Sequence, residues 1–180
     1  MNIKNWVGYY MLNRSNAITE RQIKAINLRQ AQSVGLIYDS GDEKIFNAIK
    51  NYYRLLKQEG VKNIEVLGYV DEKQLPVFLT PERDFDYFSK KEVNWYGKPI
   101  SQNVLTFANK NFDILIDLSL KENLPLQFIL AMSQAHLKVG ASGLNRNNLL
   151  DLIINLKEDQ GINYLIKNVS VYLNMLNKTN

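Results

Sequence analysis

The sequence predicts an α/β fold, and three observations carry the prediction. Short apolar runs recur at 33–39, 63–70, 112–118, 136–141 and 149–156, several of them closed by turn residues, and these read as buried strands. Between them lie stretches whose apolar residues repeat at helical spacing. The chain has 180 residues, 46% hydrophobic and 22% charged, which suits one domain with a sizeable core. The expected architecture is a three-layer sandwich around a five-stranded, mostly parallel sheet of Rossmann-like or flavodoxin-like order. An N-terminal helical arm, residues 1–32, precedes a single α/β domain, residues 33–180.

The elements follow in order. Ile3, Trp6, Val7, Tyr10 and Met11 fall at i, i+3, i+4, i+7 and i+8, one face of a helix over 3–12. Residues 17–31 read as a second helix, with Thr19 as N-cap, Gln22 three residues on, and Ile23 and Ile26 as apolar surface. Arg14, Ser15 and Asn16 separate the two. Residues 33–39 form a strand that ends in Asp39, Ser40, Gly41 and Asp42, with Ser40 or Asp42 as N-cap of the next helix. That helix, 43–59, repeats Ile45, Phe46, Ile49, Tyr52, Tyr53 and Leu56, and Gly60 suits its end. With the strand at 63–70 it completes a βαβ unit.

Residues 71–100 break the rhythm. Pro76, Pro81, Gly97 and Pro99 punctuate an aromatic-rich irregular segment on the domain flank, with room for short strands of its own and with Trp95 and Tyr96 as its anchor. A helix at 101–109, a strand at 112–118 and a helix at 124–134 with Pro125 in its first turn restore the alternation. Strands at 136–141 and 149–156 and a long terminal helix from Gly161 close the chain.

Composition narrows the chemistry. With no Cys, the chain forms no disulfide, thiolate metal site or thiol nucleophile. One His, His136, excludes His-rich metal sites and leaves a single imidazole, which reads as structural. No run approaches the ~20 apolar residues of a membrane helix, and the N-terminus lacks a secretory pattern, so a cytoplasmic protein is expected. Charge is unevenly placed. Residues 1–32 hold Lys4, Arg14, Arg21, Lys24 and Arg29 against Glu20 alone, whereas 33–180 hold 17 basic and 17 acidic side chains. The whole +4 excess sits in the arm.

Two readings of function follow. In the first, the protein is a non-catalytic binding protein. Its arm, through Trp6, Tyr10, Arg14, Arg21, Lys24 and Arg29, docks on a larger assembly such as a ribosomal or other RNA–protein particle. The arm's arginines and lysines are expected to be solvated and to contribute little to stability. In the second, a small enzyme or sensor binds a phosphorylated metabolite or nucleotide-sugar at the strand ends. Asp39, Ser40, Asp117 and Ser142, with Lys157, would supply oxygen ligands for Mg²⁺ and contacts for phosphoryl oxygens. The Gly140-Ala-Ser-Gly143 turn would let a phosphate approach backbone N–H groups. No Walker A or G-x-G-x-x-G sequence is present, and no motif calls for a cofactor.

The runs Gly35-Leu-Ile-Tyr-Asp39, Val66-Leu-Gly-Tyr-Val-Asp71, Asn94-Trp-Tyr-Gly-Lys-Pro99, Phe112-Asp-Ile-Leu-Ile-Asp-Leu118 and Lys138-Val-Gly140 resemble an uncharacterised family of short α/β proteins from Bacteroidota, a domain of unknown function. The resemblance covers nearly the whole chain. It implies a cytoplasmic bacterial protein of one domain and no assigned reaction. Residues 112–118 with 124–140 are also similar to the N-terminal half of heptosyltransferase-type glycosyltransferases, which work with a second, nucleotide-binding domain.

Overall fold

The computed structural model describes residues 3–80, 82–143 and 145–176; Pro81, one of the turn residues above, lies outside them. The elements are α1 (Ile3–Ile18), β1 (Ser33–Asp39), α2 (Glu43–Gln58), β2 (Asn63–Val70), β3 (Phe85–Ser89), α3 (Gln102–Ala108), β4 (Ile114–Asp117), α4 (Leu124–Met132), β5 (Leu137–Ala141), β6 (Leu152–Ile154) and α5 (Ile162–Met175). The strands form one sheet of order β3-β2-β1-β4-β5-β6, and every neighbouring pair is parallel. This is the Rossmann order, with its switch point between β1 and β4, and it settles the choice against the flavodoxin order.

The sheet has six strands where five were expected. The additional one is β3, inside the segment read as irregular. Its alternation is short: Phe85 and Phe88 are buried, Asp86 is exposed. It pairs along one edge with Val66 to Val70, so the partner strand, not its own sequence, makes it a strand. The 14-residue connection from β2 is pinned to α2 by Lys50–Glu82 and by Tyr53 Oη, which donates to Asp84 at 2.5 Å.

Alternation within the strands divides the core in two. Val34, Leu36, Tyr38, Val66, Ile114, Ile116 and Val139 pack with α2 and α5 through Phe46, Ile49, Leu165 and Val169. Ile37, Leu67, Tyr69 and Leu115 pack with α1, α3 and α4 through Leu12, Val104, Leu126 and Ile129. α2 is capped by Asp42, whose Oδ1 accepts from the Lys44 and Ile45 N–H groups.

The N-terminal segment departs from expectation in its number of helices. There is one helix, not two: α1 continues through Arg14, Ser15 and Asn16 to Ile18, and 19–32 is not helical. Thr19 Oγ1 donates back to the Ser15 carbonyl and does not cap an onward helix. Tertiary bonds hold the following segment extended. Lys24 N–H donates to the His136 carbonyl at 3.0 Å, and Asn27 Nδ2 donates to the carbonyls of Asn174 and Leu176. These outweigh the weak helical pattern. The two faces of α1 differ in burial. Gly8 and Leu12 face α4, and Ile3, Trp6 and Tyr10 face outward. Gly8 decides this. A Cβ there would stand 2.6 Å from Leu124 Cδ2 and 2.7 Å from the Tyr96 carbonyl oxygen, so α1 approaches α4 along its glycine side.

Candidate functional site

The carboxyl ends of β1, β4 and β5 bring Asp39, Ser40, Asp117 and Ser142 to one end of the sheet, where ligands of such folds sit. Their side chains do not form an open crevice. Ser40 is buried and its Oγ donates to the Tyr69 carbonyl at 3.0 Å. Asp39 accepts from the Gly41 N–H and from Asn123 Nδ2. Asp117 is sealed beneath Arg146, a residue the spacing of motifs did not mark. Arg146 Nη1 donates to the Ser119 carbonyl at 2.9 Å and meets Asp117 Oδ2, and Nη2 donates to the Ser142 carbonyl at 3.1 Å. Desolvation raises the Asp117 carboxyl, and the Arg146 guanidinium pulls it back.

The glycines beside this pair have a packing role. Gly140 lies opposite Asp117, where a Cβ would sit 3.1 Å from Asp117 Cβ. A Cβ on Gly143 would meet Glu122 Oε1 at 2.5 Å and Arg146 Nε at 3.0 Å. The N–H groups of this turn are already used, Ser142 N–H on the Ile154 carbonyl and Gly143 N–H on Asn147 Oδ1. Lys157 lies exposed past β6, where its N–H donates to Gln160 Oε1.

A cavity of about 220 Å³ lies between the start of α1 and the strand ends, lined by Lys4, Tyr69, Asp71, Lys90, Glu122 and Asn123 among others. Two of its charges, Asp71 and Lys90, are matched to each other. Asp71 Oδ1 accepts from Tyr69 Oη at 2.9 Å and pairs with Lys90 Nζ at 3.0 Å. Burial and the Asp71 carboxylate push the Tyr69 hydroxyl up, so it stays a neutral donor. Among the described residues no group of three or more His, Asp or Glu could hold a metal ion.

The arm residues separate. Arg21 is spent inside the protein: Nη2 pairs with Asp151 Oδ1 at 2.5 Å and Nη1 donates to the Ala135 carbonyl at 3.1 Å. Lys24 and Arg29 are exposed, but at the opposite end of the sheet, where the strands begin. His136 lies there too, with Nδ1 3.0 Å from the Gln22 carbonyl. Tyr52 is core and Tyr53 is tied to Asp84. Arg14 is exposed on the same face of α1 as Trp6 and Tyr10.

That face is the most distinctive surface of the molecule. Ile3, Trp6 and Tyr10 are 76%, 57% and 58% exposed. The Trp6 and Tyr10 rings lie nearly parallel, 13° between planes and 6.1 Å between centroids. Trp95 is 62% exposed beside Tyr96, whose carbonyl abuts Gly8 of α1. The anchor of that loop is Tyr96, packed 6.1 Å from Phe128, and not Trp95. Both tryptophans of the chain therefore face solvent, against the usual burial of this residue. No helix among the described residues is long and apolar enough to cross a membrane.

Six parallel strands in Rossmann order, with Ser40 and Asp117 buried at the strand ends and Trp6 and Tyr10 exposed on α1, define a parallel-sheet α/β protein. The chain belongs to DUF6913, a family of unknown function, which matches it over residues 4–176. No curated protein and no solved structure matches the chain.

Proposed function

We propose that the protein is a non-catalytic binding protein that docks on a larger cytoplasmic assembly through the outward face of α1. The observation that carries this reading is the exposure of Ile3, Trp6 and Tyr10 on a helix whose other face is fixed to α4. Exposed Trp and Tyr on a rigid helix are the residues that dominate binding energies. Spacing of i, i+3 and i+7 presents them along one line. The frame behind them, which we read as a three-layer α/β/α body, serves to hold α1. The reading narrows the arm's contribution to Trp6, Tyr10 and Arg14, because Arg21 is paired within the fold.

Fractionation of native bacterial lysate on a density gradient tests this. The wild-type chain is expected to travel with a large particle. The Trp6→Ala/Tyr10→Ala variant is expected to stay at the top with unchanged circular dichroism, since neither ring is in the core. A double variant that travels as the wild type does would end the docking reading.

A further inference from the structure

We propose that the cleft between α1 and the β5–β6 connection binds a single neutral sugar ring. The site is separate from the aromatic docking face and goes beyond that reading. A cavity of about 280 Å³ lies there, lined by Tyr9 and Asn13 of α1 and by Asn145, Asn147 and Asn148. Tyr9, Asn13 and Asn16 fall at i, i+4 and i+7, on the flank of α1 between inward Leu12 and outward Tyr10. Asn16 Nδ2 donates to the Asn148 carbonyl at 3.3 Å and ties the two walls together. The fold sets two more amides. Glu122 accepts from the Asn145 N–H at 2.7 Å and from Asn145 Nδ2 at 2.9 Å, and Asn147 Oδ1 accepts from the Gly143 N–H at 2.9 Å. Asn145 Oδ1, Asn147 Nδ2 and the amides of exposed Asn13 and Asn148 are left to meet a ligand.

The lining selects the ligand. An amide offers a donor and an acceptor side by side, and neighbouring hydroxyls of a pyranose offer the matching pair. The Tyr9 ring adds an apolar wall for the C–H groups of the sugar. Among the described residues no cation lines the cavity. Arg146, in the same connection, is buried on Asp117 and on the Ser119 and Ser142 carbonyls, and Arg14 lies with Trp6 and Tyr10. The Glu122 carboxylate stands behind Asn145. Burial, and after it this carboxylate, hold the Tyr9 hydroxyl above its usual range against a bond from Asn145, so it stays a neutral donor. A phosphate or carboxylate would meet the Glu122 charge with nothing to offset it, which disfavours sugar phosphates and nucleotides. A peptide strand would need backbone partners, and the Gly143 and Asn145 N–H groups are already used. The volume falls just below the roughly 300–1,000 Å³ of drug-sized sites and suits one ring.

Thermal unfolding and calorimetric titration of the full chain with D-glucose, D-galactose, D-mannose and N-acetyl-D-glucosamine test the site. At least one of these is expected to raise Tm at about 50 mM, enough to saturate a millimolar site. Asn13→Ala/Asn148→Ala is expected to weaken that sugar by about 5- to 150-fold, the loss of two neutral hydrogen bonds. Circular dichroism should be unchanged, because both side chains are exposed. Each single variant gives the same reading at a smaller factor if the double one unfolds. The 6-phosphate of the same sugar is expected to bind no tighter than the sugar itself. Trp6→Ala/Tyr10→Ala is expected to keep the sugar, whatever it does to docking. If none of the sugars raises Tm, the inference is overturned. It is also overturned by a sugar that the Asn13 and Asn148 variants bind as the wild type does, since that sugar sits elsewhere. A 6-phosphate bound more than about tenfold tighter overturns the neutral assignment. Loss of the sugar in the Trp6 and Tyr10 variant, with circular dichroism unchanged, places it on the aromatic face and overturns this site.

Discussion

Arg146 Nη1 lies 3.4 Å from Asp117 Oδ2, and both side chains are 2% exposed. The pair staples the β5–β6 connection across the end of β4. Asp117 Oδ1 also accepts from the Ser119 N–H at 2.9 Å, so the carboxylate is held on both oxygens. Burying two charges is costly, and this geometry offsets the cost only while both partners remain.

Arg146→Met should therefore destabilise the protein by about 3–5 kcal/mol, because it leaves Asp117 buried without a counter-charge. Asp117→Leu combined with Arg146→Met should recover most of that loss. Urea unfolding of the single and double variants measures both. A double variant as unstable as the single one would show that the hydrogen bonds to Ser119 and Ser142, and not the charge pair, carry the staple.

Arg21 and Lys24 should differ sharply, although the sequence treats them alike as solvated arm residues. Arg21→Ala leaves Asp151 only the Lys138 N–H as partner and removes a bond to the Ala135 carbonyl, at a cost of about 1.5–3 kcal/mol. Lys24→Ala should stay within about 0.5 kcal/mol. Thermal unfolding of the two variants side by side checks the contrast.

Lys138 sits in β5, fully buried, with Nζ donating to the Leu130 carbonyl at 2.5 Å near the end of α4. Desolvation, and after it the positive charge of Arg21, lower its pKa from 10.5 to about 7, with Asp151 opposing. Above about pH 7 the folded protein holds this lysine neutral while the unfolded chain still protonates it. Stability should therefore rise from about pH 7 towards 10.5, by up to about 1.4 kcal/mol per pH unit, with this contribution lost as pH falls from 10.5 to about 7 and level below that. Lys138→Met should remove that slope. Denaturant unfolding from pH 6 to about 9.5 reads the difference directly.

Gly8→Ala should destabilise the protein although alanine is the better helix former. The new methyl would press on the Tyr96 carbonyl as well as on Leu124, and backbone cannot move aside as a flexible side chain can. The expected loss is about 1–3 kcal/mol, net of roughly 1 kcal/mol gained in helix propensity. Faster proteolytic clipping within α1, with the sheet intact, would locate the damage at the α1–α4 contact.

The alternating apolar runs determined by themselves that this is an α/β protein. Each of β1, β2, β4 and β5 is buried on both sides, and α2, α3, α4 and α5 repeat apolar residues at helical spacing, so local pattern and final structure agree there. The position of β3 and its place in the main sheet were not legible, because a five-residue edge strand is made by its neighbour's free N–H and C=O groups. The strand order was not legible either, since several orders satisfy the same alternation. Only tertiary structure decided the fate of the polar residues. Asp117 and Ser142 are joined through Arg146, which carries no periodic signal, and Arg21 left the basic arm for Asp151, 130 residues away. α1 shows the same limit most plainly. Its sequence marks Ile3, Trp6 and Tyr10 as one face, but periodicity says only that they lie together. Which face turns inward was decided by the close approach that Gly8 alone permits, and that contact left the aromatic face to solvent.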